Sequence, residues 1–381
     1  MDDPLTSPIQ GITLKFVKLA NGMTMRVACC GPEDGIPVVF MHGWPESWFS
    51  WRHQIKYFGE QGYNVMAPDM RGYGYSSCPP NVDDYDVYSH ASDIICLLQA
   101  HGLTKAILVG HDWGAILGWL FAHLYPEVFP VVANLSVPTV MRKSTDLSPY
   151  DLFKKRFKIG QGPDKELFFY ITYHNERYDL ENVPNFGPAE AEYDSNLYEY
   201  IYRTWSDETV KRDTNYLKNP LRVAGGRLWR TPRPLHLPKW LSQADLDYVV
   251  KQFQHSGSRG GVNYYRNFHR NFLITPQLIG KTIDQPTFFL TGANDGVRGM
   301  LSPASKVTGN YKDDKQYQGL MTVCTDLRQF HIIQAPKGES CSHWIQQDQP
   351  KQVNERLHSF FKETEDVFKS AKGGLASSSK M

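Results

Sequence analysis

KAILVGHDWGAILGWLFAHLY, residues 105–125, runs from an apolar stretch through Gly110-His111-Asp112-Trp113-Gly114 into a helical pattern. The apolar run reads as a buried strand and 113–125 as a helix, so the two glycines fall at a sharp strand-to-helix turn. Such a turn packs closely against its neighbours and holds the residue between the glycines out into a pocket. That residue is a carboxylate, Asp112, where a serine would make an acyl-transfer elbow.

Outward from this unit the same texture repeats. IPVVFMHG (36–43), YNVMAPDM (63–70) and VFPVVANLSV (128–137) are short apolar runs, with helical stretches at 48–61 and 84–101 between them. Nearly continuous apolar strands alternating with helices predict a parallel sheet covered on both faces. Ahead of it, GITLKFVKLANGMTMRVACC (11–30) alternates around Asn21-Gly22, which predicts a β-hairpin with a type I′ turn. After Pro138 the pattern changes. Residues 139–276 are rich in Tyr, Phe, Trp, Arg and Pro, with helical stretches at 165–175, 191–205 and 242–254 and no strand alternation. Buried-strand texture returns at QPTFFLTGAND (285–295) and LRQFHIIQAP (327–336), followed by a long amphipathic helix near 345–369. The expected fold is α/β, a mostly parallel sheet with an N-terminal hairpin. A core in two parts, 1–138 and 277–370, is interrupted by an inserted helical unit, 139–276, and 371–381 forms a flexible tail. The 381 residues fit about two domains at roughly 150 residues each.

A formal net charge of +1 and 21% charged residues offer no basic field for nucleic acid, so small molecules are the expected partners. The opening MDDPLTSPIQ lacks the features of a secretory signal, and no segment has the 18 or so apolar residues of a membrane span. A soluble intracellular protein is expected, with its six cysteines as free thiols. The terminal Ser379-Lys380-Met381 differs by one residue from the peroxisomal Ser-Lys-Leu address, so the expected location is cytoplasmic, peroxisomal or both. Oligomeric state is not readable; a homo-oligomer stays open.

In doubly wound sheets ligands sit beyond the carboxyl ends of the strands. There the chain places His42-Gly43-Trp44-Pro45, Asp112 and Asp295, with His343 on the loop after the last strand. The order nucleophile, acid, histidine is that of a hydrolase triad with aspartate in the first place. With an ordinary pKa near 3.9, Asp112 is ionised at pH 7 and needs no base to attack. Attack on an acyl carbonyl would give an unstable anhydride, whereas attack on saturated carbon gives an alkyl ester that water can clear. His343, with an ordinary pKa near 6.5, can be neutral and take a proton from that water while Asp295 orients the ring and stabilises the imidazolium. A lone strand-end aspartate such as Asp295 is often only a turn residue. Its place after FFLTG, and the lack of a carboxylate in NLSVPTV (134–140), make it the acid.

HGWP (42–45), RGYGYSSCPP (71–80), GHDWG (110–114), GVNYYRNFHRN (261–271) and SHWIQQDQP (342–350) together resemble the soluble-type epoxide hydrolases of the α/β-hydrolase fold. The resemblance implies that 139–276 is a cap domain supplying two tyrosines that donate to the epoxide oxygen. Tyr265 matches one motif. Tyr170 in LFFYITYHNE is the choice for the other, with Tyr173 one helical turn on as fallback. It implies backbone donors for the oxyanion from Trp44 and Trp113, a Trp44-Pro45 bond in the cis form, and no metal or organic cofactor. His42, Pro45, Trp113 and Tyr173 are read as lining the substrate pocket; His42, His111 and Arg71 are also read as residues that tie loops together. A hydrophobic epoxide, from fatty acids or other sources, and water are the implied reactants.

Three departures touch this pattern. The connection from Asp295 to His343 spans 48 positions and is longer than expected; Cys341-Ser342 and Tyr264 replace the usual glycine and tryptophan; the segment 176–240 looks extended. Two other readings stay open. A haloalkane or haloacid dehalogenase would use the same elbow aspartate with halide donors in place of phenols. A non-catalytic hydrolase-fold protein would only bind its ligand.

Overall fold

The computed structural model describes residues 3–139, 142, 147–156, 169–180, 183–206, 228, 233–301, 311–336, 339 and 341–373. Eight strands form one sheet: β1 (Thr13–Lys18), β2 (Thr24–Cys30), β3 (Pro37–Met41), β4 (Asn64–Pro68), β5 (Ile107–His111), β6 (Val131–Leu135), β9 (Thr287–Gly292) and β10 (Leu327–Ile333). Their order is β1-β2-β4-β3-β5-β6-β9-β10. β2 is antiparallel to β1 and β4, and every later pairing is parallel. Every residue of β3, β5, β6 and β9 is buried, which is why these strands read as unbroken apolar runs.

Helices α1 (Arg52–Glu60), α2 (Val87–Ala100) and α3 (Trp113–Leu124) connect the first strands. α2 starts where Asp86 accepts the Ser89 amide, a side-chain cap that satisfies one orphan donor. Between β6 and β9 the described helices are α4 (Pro149–Arg156), α5 (Tyr170–Asn175), α6 (Pro188–Ser195), α7 (Leu197–Trp205), α8 (Gln243–Ser256), α9 (Arg259–Arg266) and α10 (Phe268–Ile274). β6 and β9 nevertheless pair directly, Leu135 opposite Leu290. The sheet closes beneath the inserted helices.

Four sequence expectations change. The hairpin turn is not type I′, because among the described non-glycine residues only Asp112 and Ser136 have positive φ, and Asn21 does not. Gly22 alone turns left-handed, at φ +86, inside a loop closed by Leu19 N–H to Met23 O. Asn21 instead donates its side-chain amide to Ser92 and Asp93, tying the hairpin to α2. The region 139–276 does contain strands: β7 (Tyr178–Leu180) pairs antiparallel with β8 (Val183–Phe186), too short to leave an alternating pattern. The helix expected over 191–205 is two, α6 and α7, broken at Asn196, whose backbone (φ −143, ψ 39) is not helical. Finally, 345–369 is not one helix. It comprises Ile345–Asp348, α11 (Pro350–Glu363) and Glu365–Ser370. Pro350 forces Gln349 out of helical geometry (φ −128, ψ 51), and Thr364 turns its hydroxyl back onto Phe360 O.

All six cysteines are free thiols. Among the described residues no helix is long and apolar enough to cross a membrane. The terminal tripeptide 379–381 and positions 302–310 of the long connection lie outside the described residues.

Candidate active site

The parallel register sets the site. Met41 pairs with Gly110, so the loop after β3 and the turn after β5 leave the sheet side by side. Asp112 occupies that turn with φ 52 and ψ −115, left-handed backbone that a non-glycine residue rarely adopts. The close packing expected of the turn is visible at Gly114, where a Cβ would stand 2.1 Å from Met41 O. Asp112 Oδ1 accepts the Trp44 backbone N–H at 2.8 Å. Trp113 opens α3, so its amide is one of the first-turn donors that have no partner within the helix. The Trp44–Pro45 bond is cis.

At the far end of the sheet Ile333 pairs with Gly292, bringing the loops after β9 and β10 together. His343 Nδ1 lies 3.0 and 3.1 Å from the two oxygens of Asp295, and its Nε2 lies 3.4 Å from Asp112 Oδ2. Asp295 is further held by the Val297 amide at 2.7 Å. Two carboxylates thus flank one imidazole. Burial pushes the His343 pKa down, but Asp295 and then Asp112 outweigh it and raise it to about 10. The resting ring is therefore held protonated at pH 7, and it must lose a proton before it can act as a base. Burial opposes ionisation of Asp295, yet His343 and the Val297 amide bring it down to about 2. Asp112 is likewise lowered against its burial, chiefly by His343.

Trp113, next to Asp112 in the chain, meets Tyr265 edge to face, the ring centroids 5.0 Å apart at 83°. Tyr170 meets Tyr265 in the same manner at 5.9 Å and 80°. This pairing follows from Arg266, fully buried with Glu190 in a two-pronged pair at 2.7 and 2.8 Å. Its Nε also donates to His174 O. α9, α5 and α6 are thereby locked together, with Tyr265 and Tyr170 facing one another.

Not every expected pocket residue joins them. Tyr173 directs its hydroxyl to Pro188 O at 3.0 Å and Glu192 at 3.2 Å, bracing α5 against α6. His42 accepts the Met70 amide on Nε2 and lies with Nδ1 3.0 Å from Gly43 O, so both ring nitrogens are used by backbone. Pro45 offers its carbonyl to the Trp205 indole. Arg71 pairs with Asp93 and donates to Asp84 O, tying loops as expected.

Three supporting residues escaped the sequence reading. Glu46 is wholly buried, accepting the Gly43 amide at 3.0 Å and facing His111 Nδ1 at 2.6 Å. Gln346 donates to its other oxygen at 2.9 Å, and His111 Nε2 lies 2.8 Å from His343 O. Ser136, at φ 67, donates to the same carbonyl at 3.2 Å. The loop after β3, the elbow and the histidine loop are thus cross-linked by buried polar contacts. Only the position of Glu46 right behind HGWP hinted at this.

The described geometry agrees with comparisons to known proteins. Residues 36–298 match the family model described as the alpha/beta hydrolase fold. The chain is 35% identical over 346 residues to epoxide hydrolase A of Mycobacterium tuberculosis, covering 89% of this chain and 94% of that one. It is 32% identical over 348 residues to the bifunctional epoxide hydrolase 2 of Sus scrofa, covering 91% of this chain but only 53% of that protein. The crystal structure of epoxide hydrolase A from Mycobacterium thermoresistibile superposes with a TM-score of 0.76 at 35% identity, over 92% of this chain and 98% of that one. The chain therefore belongs to the α/β-hydrolase fold family and, within it, to the epoxide hydrolases.

Proposed function

We propose that the protein hydrolyses hydrophobic epoxides to vicinal diols through an alkyl ester on Asp112. One observation carries the reading: a carboxylate with one oxygen on the Trp44 amide and the other toward His343, next to Trp113, whose ring meets Tyr265 and through it Tyr170. Asp112 Oδ2 attacks a ring carbon, and the C–O bond breaks as Tyr265 and Tyr170 donate to the departing oxygen. Once the ester has formed and the imidazolium has released its proton to solvent, water adds to the ester carbonyl carbon as His343 takes its proton and Asp295 stabilises the imidazolium. The intermediate then collapses with breakage of the Cγ–Oδ2 bond, and His343 protonates the departing oxygen. The diol leaves carrying that oxygen while the oxygen of water completes the Asp112 carboxylate. The oxyanion forms on Oδ1, facing the amides of Trp44 and Trp113. Residues 139–276 act as the cap, and 1–138 with 277–370 as the core. Fatty-acid epoxides and a cytoplasmic or peroxisomal location complete the reading, the latter resting on the terminal tripeptide alone.

Tyr265→Phe and Tyr170→Phe should each slow ester formation by about 10²-fold and leave ester breakdown near the parent rate. Stopped-flow Trp fluorescence during single turnovers reads the first step. Halide release from chloroalkanes without diol from epoxides would reverse the choice in favour of a dehalogenase.

The charges also fix a pH dependence. Esterification removes the negative charge of Asp112, one of the two supports that raise His343, so the His343 pKa falls from about 10 once the ester exists. Breakdown needs neutral His343 and therefore speeds up with rising pH, whereas attack needs only ionised Asp112. Quenched samples should hold more ester at mildly acidic than at alkaline pH; the opposite trend would remove His343 as the base. For stability, the raised pKa of His343 contributes fully below its ordinary 6.5 and is lost as pH rises through about 10. Asp295 contributes above its ordinary 3.8 and is lost as pH falls through about 2.

A further inference from the structure

Trp44 bridges the elbow and the inserted helices. Its backbone N–H holds Asp112 Oδ1, and its indole Nε1–H donates to the Tyr200 hydroxyl of α7 at 2.9 Å. Tyr200 is 1% exposed and stacks on Tyr193 of α6 at 3.9 Å. The Tyr193 hydroxyl meets His174 Nε2 at 2.8 Å, and the His174 ring packs against Tyr265 at 4.4 Å. From above, α9 rests directly on the indole: a Cβ at Gly261 would come within 2.1 Å of Trp44 Cε3. Gly261 and Tyr265 are one turn apart on the same face of α9. One indole therefore stands between the donor at Asp112 Oδ1 and the helix that carries Tyr265.

The two steps of the reaction use this donor unequally. Oδ2 forms the new bond, so Oδ1 becomes strongly negative only when water adds to the ester. We infer that Tyr200 is a positioning residue for ester breakdown: by accepting the indole N–H it fixes the Trp44 amide where that charge develops. The inference rests on the alkyl-ester reading above. If Tyr200 were only packing, a phenyl ring would serve equally, because it keeps the stack on Tyr193. Phenylalanine instead leaves a buried indole N–H without its acceptor and removes the polar tether between the Trp44 loop and α7, so the Trp44 amide is held less firmly at Oδ1.

Single-turnover mixing with acid quench and intact-mass detection separates ester formation from breakdown in Tyr200→Phe, Trp44→Phe and the double variant. Tyr200→Phe should break the ester down about tenfold more slowly while forming it within about twofold of the parent rate. Trp44→Phe, which deletes the indole donor and keeps the backbone amide, should slow breakdown by a similar factor. The double variant should be no slower than the slower single one. Unchanged breakdown, a parallel fall in both steps, or additive losses would overturn the inference while the parent still forms its ester. Absence of any ester in the parent would overturn the underlying reading and the inference with it.

Discussion

Asp112→Ala should lower diol formation by about 10⁴- to 10⁶-fold, to the level at which water attacks a bound epoxide unaided. The size follows from what the side chain supplies. A carboxylate ionised at neutral pH, held by an amide on one oxygen and aimed by a rare backbone geometry, attacks without waiting for a base. Alanine keeps the turn and the pocket and removes only the attacking atom. Chromatographic measurement of diol from lipid and styrene-type epoxides, with a thermal melt to show that the variant is folded, checks it. Turnover within a hundredfold of the parent would rule out the covalent route.

His343→Gln should cut steady turnover by about 10²- to 10⁴-fold and yet leave ester formation in place. Glutamine approximates the reach of the ring and keeps a donor for Asp295, but it cannot take a proton from water. Each chain should react once and stop, gaining the mass of one epoxide, and peptide mapping should find that mass on Asp112. The buried imidazolium also neutralises part of the charge around Asp112, so some slowing of the first step accompanies the block in the second. Full turnover without an adduct would remove His343 from the hydrolytic step.

The parts of the molecule legible in sequence are those whose signal is local. Strands buried on both faces announce themselves as apolar runs, and the elbow does so through glycines on either side of Asp112. The order of Asp112, Asp295 and His343 along the chain was equally plain. What stayed hidden depends on contacts made by distant segments. Glu46 and Gln346 look like ordinary loop polar residues until His111 and the Gly43 amide close around them. Tyr170 and Tyr173 lie one helical turn apart, and contacts from distant segments separate them: Tyr173 is taken up by Pro188 O and Glu192, while Tyr170 meets Tyr265. The charge on His343 is of the same kind, since an ordinary pKa carries no record of two carboxylates arriving from other strands. The break at Gln349 was legible, for Pro350 forbids the continuous helix expected there.

β6 and β9 lie side by side although residues 136–286 separate them in sequence. On the proposed division, the helical excursion is an appendage to a sheet that closes without it, and the two can change at different rates. Its loops can lengthen, shorten or exchange without disturbing strand register, altering which molecules enter while the covalent chemistry below stays the same. On the proposed mechanism only a few points constrain that freedom: the two phenols it would deliver and the indole on which α9 sits. Variation in appetite is thereby uncoupled from variation in reaction, and libraries confined to the excursion that spare those points should yield changed preferences more often than dead protein.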